Sequence, residues 1–440
     1  MKQLSVLIGL GLTMLMLGAS YGSARAGASN AAGGDIPPGT KITMQNWHQY
    51  AAFMPTGMQA LFEGKYYWKM PADIELVVAP TVTHPLPLSY RQATERYASR
   101  VKLVSTPDGG LQLRDYVAGM PFPNPEEPHK GWKILANLWY RYFPHLVSTS
   151  ASGFENLCRE DRFSDLACST EFAVYRQLRH IADTGSSLNA PGSDSANGPS
   201  FTEFWMIETP ENQKYTSGLT LYYDSRPQDD YIFTPKLRRA LRINASARCS
   251  ESSGSDFMED DWRNGFSGDI WEFQAHFVTR MKMLTSINFG TAAGNLSKQN
   301  YYFPLLWPRP TWAKFELRDT NVIDVRPLPK DAGGYCYGKR VMYIDANSQV
   351  PLWEDLYDSH MKLWKVFRVG TRAREVPGAG VQDSSASRVT QLWNLKTGHV
   401  SFLSTITPSG ADFALNNQVP KQYDDIKRYS GLSGLNEIMR

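Results

Sequence analysis

"PKLRRALR", residues 235–242, sets three guanidinium groups, Arg238, Arg239 and Arg242, directly after a run with strand character. Guanidinium forks match phosphate or carboxylate oxygens in pairs, so these arginines are candidates for an anion contact. The competing expectation is structural: they pair with the acidic block that follows, Asp256, Glu259, Asp260 and Asp261. That block lacks the loop glycine and ligand spacing of a calcium hand. The eight histidines fall in no H-E-x-x-H or similar metal spacing. No nucleophile elbow, phosphate-cradling loop or dinucleotide glycine pattern sits in a strand–turn–helix context. Glycoside hydrolysis needs two carboxylates close in space rather than in sequence. An exported carbohydrate-active enzyme or glycan-binding module therefore stands as the alternative to a binding protein. No catalytic residue, metal or cofactor is assigned.

What the chain has in quantity is adaptable apolar surface, with 12 Trp and 15 Met. Burying one methylene is worth ~0.8 kcal/mol, so an acyl chain can be held on area alone. Methionine suits pockets that must change shape. Trp139, Trp205, Trp307, Trp312, Trp353 and Trp364 are the candidates for such a pocket. Trp312 and Trp364 are preferred, because each lies opposite the plainly apolar face of its strand.

The ends and the cysteines set the compartment. Lys2, an apolar run from Leu4 to Leu17 and Ala24-Arg25-Ala26 make a secretory signal with cleavage after Ala26. No cysteine lies near that site to carry a lipid, and no later run reaches the ~20 apolar residues of a spanning helix. A soluble exported protein is expected. Four cysteines in such a chain should be paired. Of three possible connectivities, Cys158 with Cys168 and Cys249 with Cys336 is favoured, since the first two share one loop. A net charge of +3 with scattered basic residues gives no stripe for nucleic acid.

Strands must position these groups. "RVKLVSTPDGGLQLRDYV" reads as a hairpin about Pro107-Asp108-Gly109. "WAKFELRD" alternates Ala313, Phe315 and Leu317 with Trp312, Lys314, Glu316 and Arg318, which predicts one buried and one partly wet face. "GKRVMYID", "VPLWEDLYD" and "HMKLWKVFRV" continue as a meander, "HVSFLSTI" follows, and "GLTLYYD" and "YIFTP" add earlier strands. Helices are predicted over 87–100 and 169–183, over "GWKILANLWYRYF", and after Ser433. The prolines of 119–128 form an elbow before the third of these, which Pro144 closes. Its stripe of Trp132, Leu135 and Trp139 is core or the lid of a cavity. Residues 27–40 read as a mobile arm and 184–200 as a long surface loop. Many antiparallel strands with few helices imply an α+β domain.

Several blocks, in order, resemble the exported bacterial family called domain of unknown function 1329, also described as outer membrane lipoprotein-sorting protein. They are "GMPFPNP" with "GWKILANL", "YTSGLTLYYD", "DDYIFTPKLRRALRINASARC", "SDFMEDDWRNGFSGD", "WAKFELRDTNVIDVRPLP" and "YGKRVMYIDANSQVPLWEDLYDSHMKLWK". The resemblance implies a single domain over 27–440, similar to the lipoprotein carriers LolA and LolB. That fold is an unclosed antiparallel β-barrel with helices over the open face and an apolar cavity between. It further implies a periplasmic, non-enzymatic carrier or chaperone for a lipid or acylated protein. An RND/MMPL-type inner-membrane exporter and an outer-membrane protein are the implied partners. The absent lipidated cysteine departs from LolB and favours a shuttling protein over an anchored one.

Overall fold

The computed structural model describes residues 34–149, 154–161, 166–190, 198–243, 248–252, 254–263, 265–383 and 386–438. The expected signal and the expected arm through residue 33 lie outside them, as do 191–197 of the expected long loop. Six strands, β1 (Glu155–Asp161), β2 (Leu166–Gln177), β3 (Phe201–Thr209), β4 (Ser217–Tyr222), β5 (Asp229–Thr234) and β6 (Arg239–Arg242), form one meander. Seven more form a second: β7 (Phe273–Thr285), β8 (Glu316–Pro327), β9 (Lys339–Asp345), β10 (Pro351–Tyr357), β11 (Leu363–Thr371), β12 (Arg388–Asn394) and β13 (His399–Ser404). The meanders join where β13 pairs with β1, His399 opposite Asp161, and every neighbouring pair is antiparallel. β6 and β7 are consecutive in sequence yet stand at opposite edges, so the sheet is not closed into a barrel. With few helices, the architecture is the expected α+β one.

That connectivity has a physical consequence. The chain between Ile243 and Glu272 must cross the whole sheet, and it does so against one face. Phe257 and Met258 of this crossover pack with Leu157, Leu356, Phe367 and Leu392. Beside it α3 (Lys130–Trp139) buries Trp132, Leu135 and Trp139 with Phe273, Ala275, Ile323 and Val325. The opposite face is covered by α1 (Thr56–Glu63) and the segment around Leu305–Phe315, in a cluster that includes Trp68, Trp307, Trp353 and Trp393. All seven residues of β12 are buried, so its two faces are both interior. The expected wet face of "WAKFELRD" is wrong for the same reason: Glu316 and Arg318 are buried, and only Lys314 is exposed.

Double-sided burial also explains the one wrong element. Residues 169–183 are not a helix; most of them belong to β2. Phe172 and Val174 face one cluster while Ala173 and Tyr175 face another. With both faces apolar, the period of two disappears from the sequence. The other predicted helices stand as α2 (Leu88–Tyr97), α3 and the short Leu432–Asn436, whereas α1 and the short helix Ile426–Tyr429 were not predicted.

The proline elbow before α3 has a defined job. Asn137 of α3 holds it at two points, accepting from Phe122 N at 2.9 Å and donating to Phe122 O at 2.7 Å. At its start the helix touches β7 so closely that a Cβ on Gly131 would lie 2.5 Å from Ala275 O and from Phe277 N. Gly131→Ala should therefore cost about 1–3 kcal/mol, the usual penalty for overpacking. A urea titration reads that loss; an unchanged midpoint would mean that the helix can lift off β7 freely.

Candidate functional site

β7 has no strand on its outer side among the described residues, and open space runs along it. The first compartment, about 770 Å³, lies between β7 and the segments 35–38 and 78–83. Its walls are Ile36, Pro37, Pro38, Val78, Ala79, Pro80 and Leu317, with Arg280 and Lys282 on the β7 side. The 78–83 wall is fixed by backbone bonds, Ala79 N to Phe315 O at 2.8 Å, and by Thr81 Oγ1 donating to Leu317 O at 2.9 Å. Arg318 forms the floor: 1% exposed, it donates to Asp345 and Asp383, each at 2.9 Å.

A second compartment of about 550 Å³ shares Arg280, Ala346 and Asn347 with the first. Its walls come from α2 (Arg91, Thr94, Glu95), the proline elbow (Met120, Pro123, Asn124, Pro125) and α3 (Lys130, Asn137). Thr94 anchors the elbow by accepting from Met120 N at 2.8 Å. A third, about 520 Å³, shares Lys130 and follows Phe273–Phe277. Through these shared residues the three spaces neighbour one another along the open edge, and together they are called the groove. Val82, Leu88 and Val278, three of the most exposed large apolar residues, each lie within two residues of its lining.

The interior on the crossover side is different. Where the resemblance implied an apolar cavity, there is a chamber of about 50 Å³ lined by Glu155, Glu171, Glu203 and Glu259 with Tyr175, Trp205, Trp262, Arg263 and Arg388. It has room for a few waters and none for a sugar ring. The reason is the crossover, which must occupy this face to reach β7. Glu155 accepts from Tyr175 at 2.6 Å and from Arg388 at 2.8 Å. Glu171 accepts only a long bond from Ser169, at 3.5 Å, among the described residues, and burial, reinforced by Glu155, pushes its carboxyl up to about 8. Burial likewise pushes Glu203 up to about 7, against the pull of Arg263 and Arg388. Glu259 is held well above the usual carboxylate range by burial and Asp230. Arg263 stands over Trp139, Phe201 and Tyr222 at 4.3, 4.5 and 5.1 Å from the ring centroids.

The six candidate tryptophans do not converge. Trp307, Trp312 and Trp353 are core on the α1 face. Trp139 belongs to the α3 cluster, and Trp364 lies near Tyr337 with Lys396 over its ring. Trp205 alone lines the chamber, its indole lying across Gly218 of β4, where a Cβ would come within 2.3 Å. Arg238 and Arg239 are exposed on the far edge. Arg242 pairs with Asp229, not with the acidic block, whose own partners are Arg248 for Asp260 and Arg340 for Asp261. The disulfides are Cys158–Cys168 and Cys249–Cys336. The groove residues escaped the sequence because they come from elements far apart in the chain. The one local signal was the proline elbow.

A family model described as a protein of unknown function, DUF1329, matches residues 41–430. The chain belongs to that family. No curated protein matches it. A DUF1329 family protein from Desulfovibrio piger is 12% identical with a TM-score of 0.45, covering 69% of this chain and 100% of that one. An outer membrane lipoprotein-sorting protein domain from Vibrio parahaemolyticus is 15% identical with a TM-score of 0.43, over 67% and 95%. A LolA superfamily protein from Nitrosomonas europaea is 12% identical with a TM-score of 0.39, over 66% and 96%. Among the described residues of this DUF1329 protein no helix is long and apolar enough to cross a membrane.

Proposed function

We propose that this DUF1329 protein is an exported, non-enzymatic carrier that holds a hydrophobic ligand in the groove along β7. The supporting observation is the groove itself: neighbouring compartments of about 770, 550 and 520 Å³, each of the size that ligand sites occupy, the first two with proline and aliphatic walls. A single LolA/LolB-like domain, released into the periplasm by cleavage after Ala26, is the form in which it would work. An RND/MMPL-type exporter and an outer-membrane protein are the partners such a carrier would serve.

Ala346 stands where the first two compartments meet. Ala346→Trp should block the junction and weaken binding of a fluorescent long-chain probe at least tenfold, while the circular dichroism spectrum stays that of the parent. Mass spectrometry of the purified parent should find a co-purified apolar compound. A parent that neither retains a lipid-like compound nor binds the probe, or a variant that binds it equally well, would remove the groove from consideration.

A further inference from the structure

The second compartment differs from the first in charge. The first balances Arg280, Lys282 and Arg318 against Asp35, Asp319 and Asp345. The second gathers Arg91, Lys130 and Arg280 with Glu95 as its only acid. These cations come from three elements, α2, α3 and the edge strand β7, so no local repeat explains their meeting. Each is held in place. Arg91 is oriented by Nε donating to Leu86 O at 3.0 Å. Lys130 Nζ lies 3.7 Å from the Phe277 ring centroid. Arg280 faces Asn321 across the β7–β8 ladder and reaches Asp319 at 3.2 Å. Carboxamides complete the lining, from Asn124, Asn321, Asn347 and Gln349.

We infer that the second compartment receives the anionic head of an amphiphile whose apolar part lies in the first compartment. This rests on the carrier reading above and adds the ligand class. An oxyanion between three cations and several amides replaces its hydration with charge-assisted hydrogen bonds. The neighbouring proline and aliphatic walls take the chain through the junction at Ala346, Arg280 and Asn347. A neutral lipid would leave Arg91 and Lys130 with no anion but Glu95 in this lining, while Arg280 keeps Asp319.

The test compares two ligands of one chain length at concentrations below aggregation, oleate and oleyl alcohol, with inorganic phosphate as a chainless competitor. Oleate should bind about tenfold tighter than oleyl alcohol, with a preference that shrinks as salt is raised, since these charges are solvent-accessible. Arg91→Gln combined with Lys130→Gln should abolish the preference and leave oleyl alcohol binding within about twofold. Arg238→Gln, in the turn before the opposite edge strand β6, should change nothing. Equal binding of oleate and the alcohol would overturn the head-group inference while leaving the carrier reading intact. Failure of both to bind would overturn the two together. Millimolar phosphate displacing oleate would show a site for free oxyanions, and would overturn the amphiphile.

Discussion

Between about pH 5.5 and pH 8.5 the folded protein should lose stability, and Glu171→Gln should remove much of that loss. Glu171 is 5% exposed, and burial beside Glu155 pushes it from its ordinary value of 4.5 up to about 8. In the unfolded chain it ionises near the ordinary value. Between the two values the folded state binds the extra proton, so stability falls as pH rises through that interval and levels off above it. Each tenfold gain in proton affinity on folding is worth about 1.4 kcal/mol, which makes the effect on the order of 5 kcal/mol for this one group across the whole interval from 4.5 to about 8. Glu203, pushed up to about 7 by burial, and Glu354, pushed up to about 8 by burial, act in the same direction. Asp108 and Asp358, held down to about 2 chiefly by hydrogen bonds from Lys330 and Lys396, act only in more acid solution. Thermal unfolding followed across this range is the measurement. A midpoint that is flat or rises towards alkaline pH, or a Glu171→Gln variant with the parent's slope, would contradict the buried-carboxyl account.

Five strands of the second meander, β8 to β11 and β13, were legible because their turns are explicit; β7 and β12 were not read from the sequence. Ala346-Asn347-Ser348 marks the turn between β9 and β10, and Pro107-Asp108-Gly109 the hairpin before the elbow. β2 was not legible, since it is apolar towards both faces and reads equally as a helix. Arg238, Arg239 and Arg242 are near one another in sequence but do not form an anion site: Arg238 lies in the turn before β6, Arg238 and Arg239 are exposed at an edge, and Arg242 pairs with Asp229. The residues that do converge, Arg91, Lys130 and Arg280, are scattered over the chain and meet only through the packing of α2 and α3 against β7. Tryptophan content correctly implied large apolar volume but not its use: Trp307, Trp312 and Trp353 fill the core. The acidic block was read as a partner for the preceding arginines, whereas it anchors the crossover to the sheet.

That anchoring makes Arg340→Met the most damaging single change expected on the crossover side. Arg340, in β9, is fully buried and donates to Asp261 at 2.7 Å, to Glu354 at 3.1 Å and to Gly265 O at 3.0 Å. Asp261 and Gly265 belong to the crossover, so one side chain ties it to β9 and β10. Asp261 also accepts from Tyr337 at 2.8 Å and from Met258 N at 2.9 Å, which orients it but leaves its charge for Arg340 to balance. Methionine can fill much of the arginine's volume, so the loss is mainly electrostatic. Glu354 is pushed up to about 8 by burial, so the loss falls chiefly on Asp261, whose buried carboxyl is left without its cationic partner. Breaking a buried pair from one side costs about 3–5 kcal/mol. Asp261→Asn keeps the acceptor oxygen and removes the charge, so adding it to Arg340→Met should recover at least about 1 kcal/mol, a coupling expected of contacting residues. Urea unfolding of the parent, both single variants and the double variant closes the cycle. A single Arg340→Met variant within about 0.5 kcal/mol of the parent, or a second substitution that deepens the loss, would mean that the crossover is held by its apolar contacts at Phe257 and Met258 instead of by this ion pair.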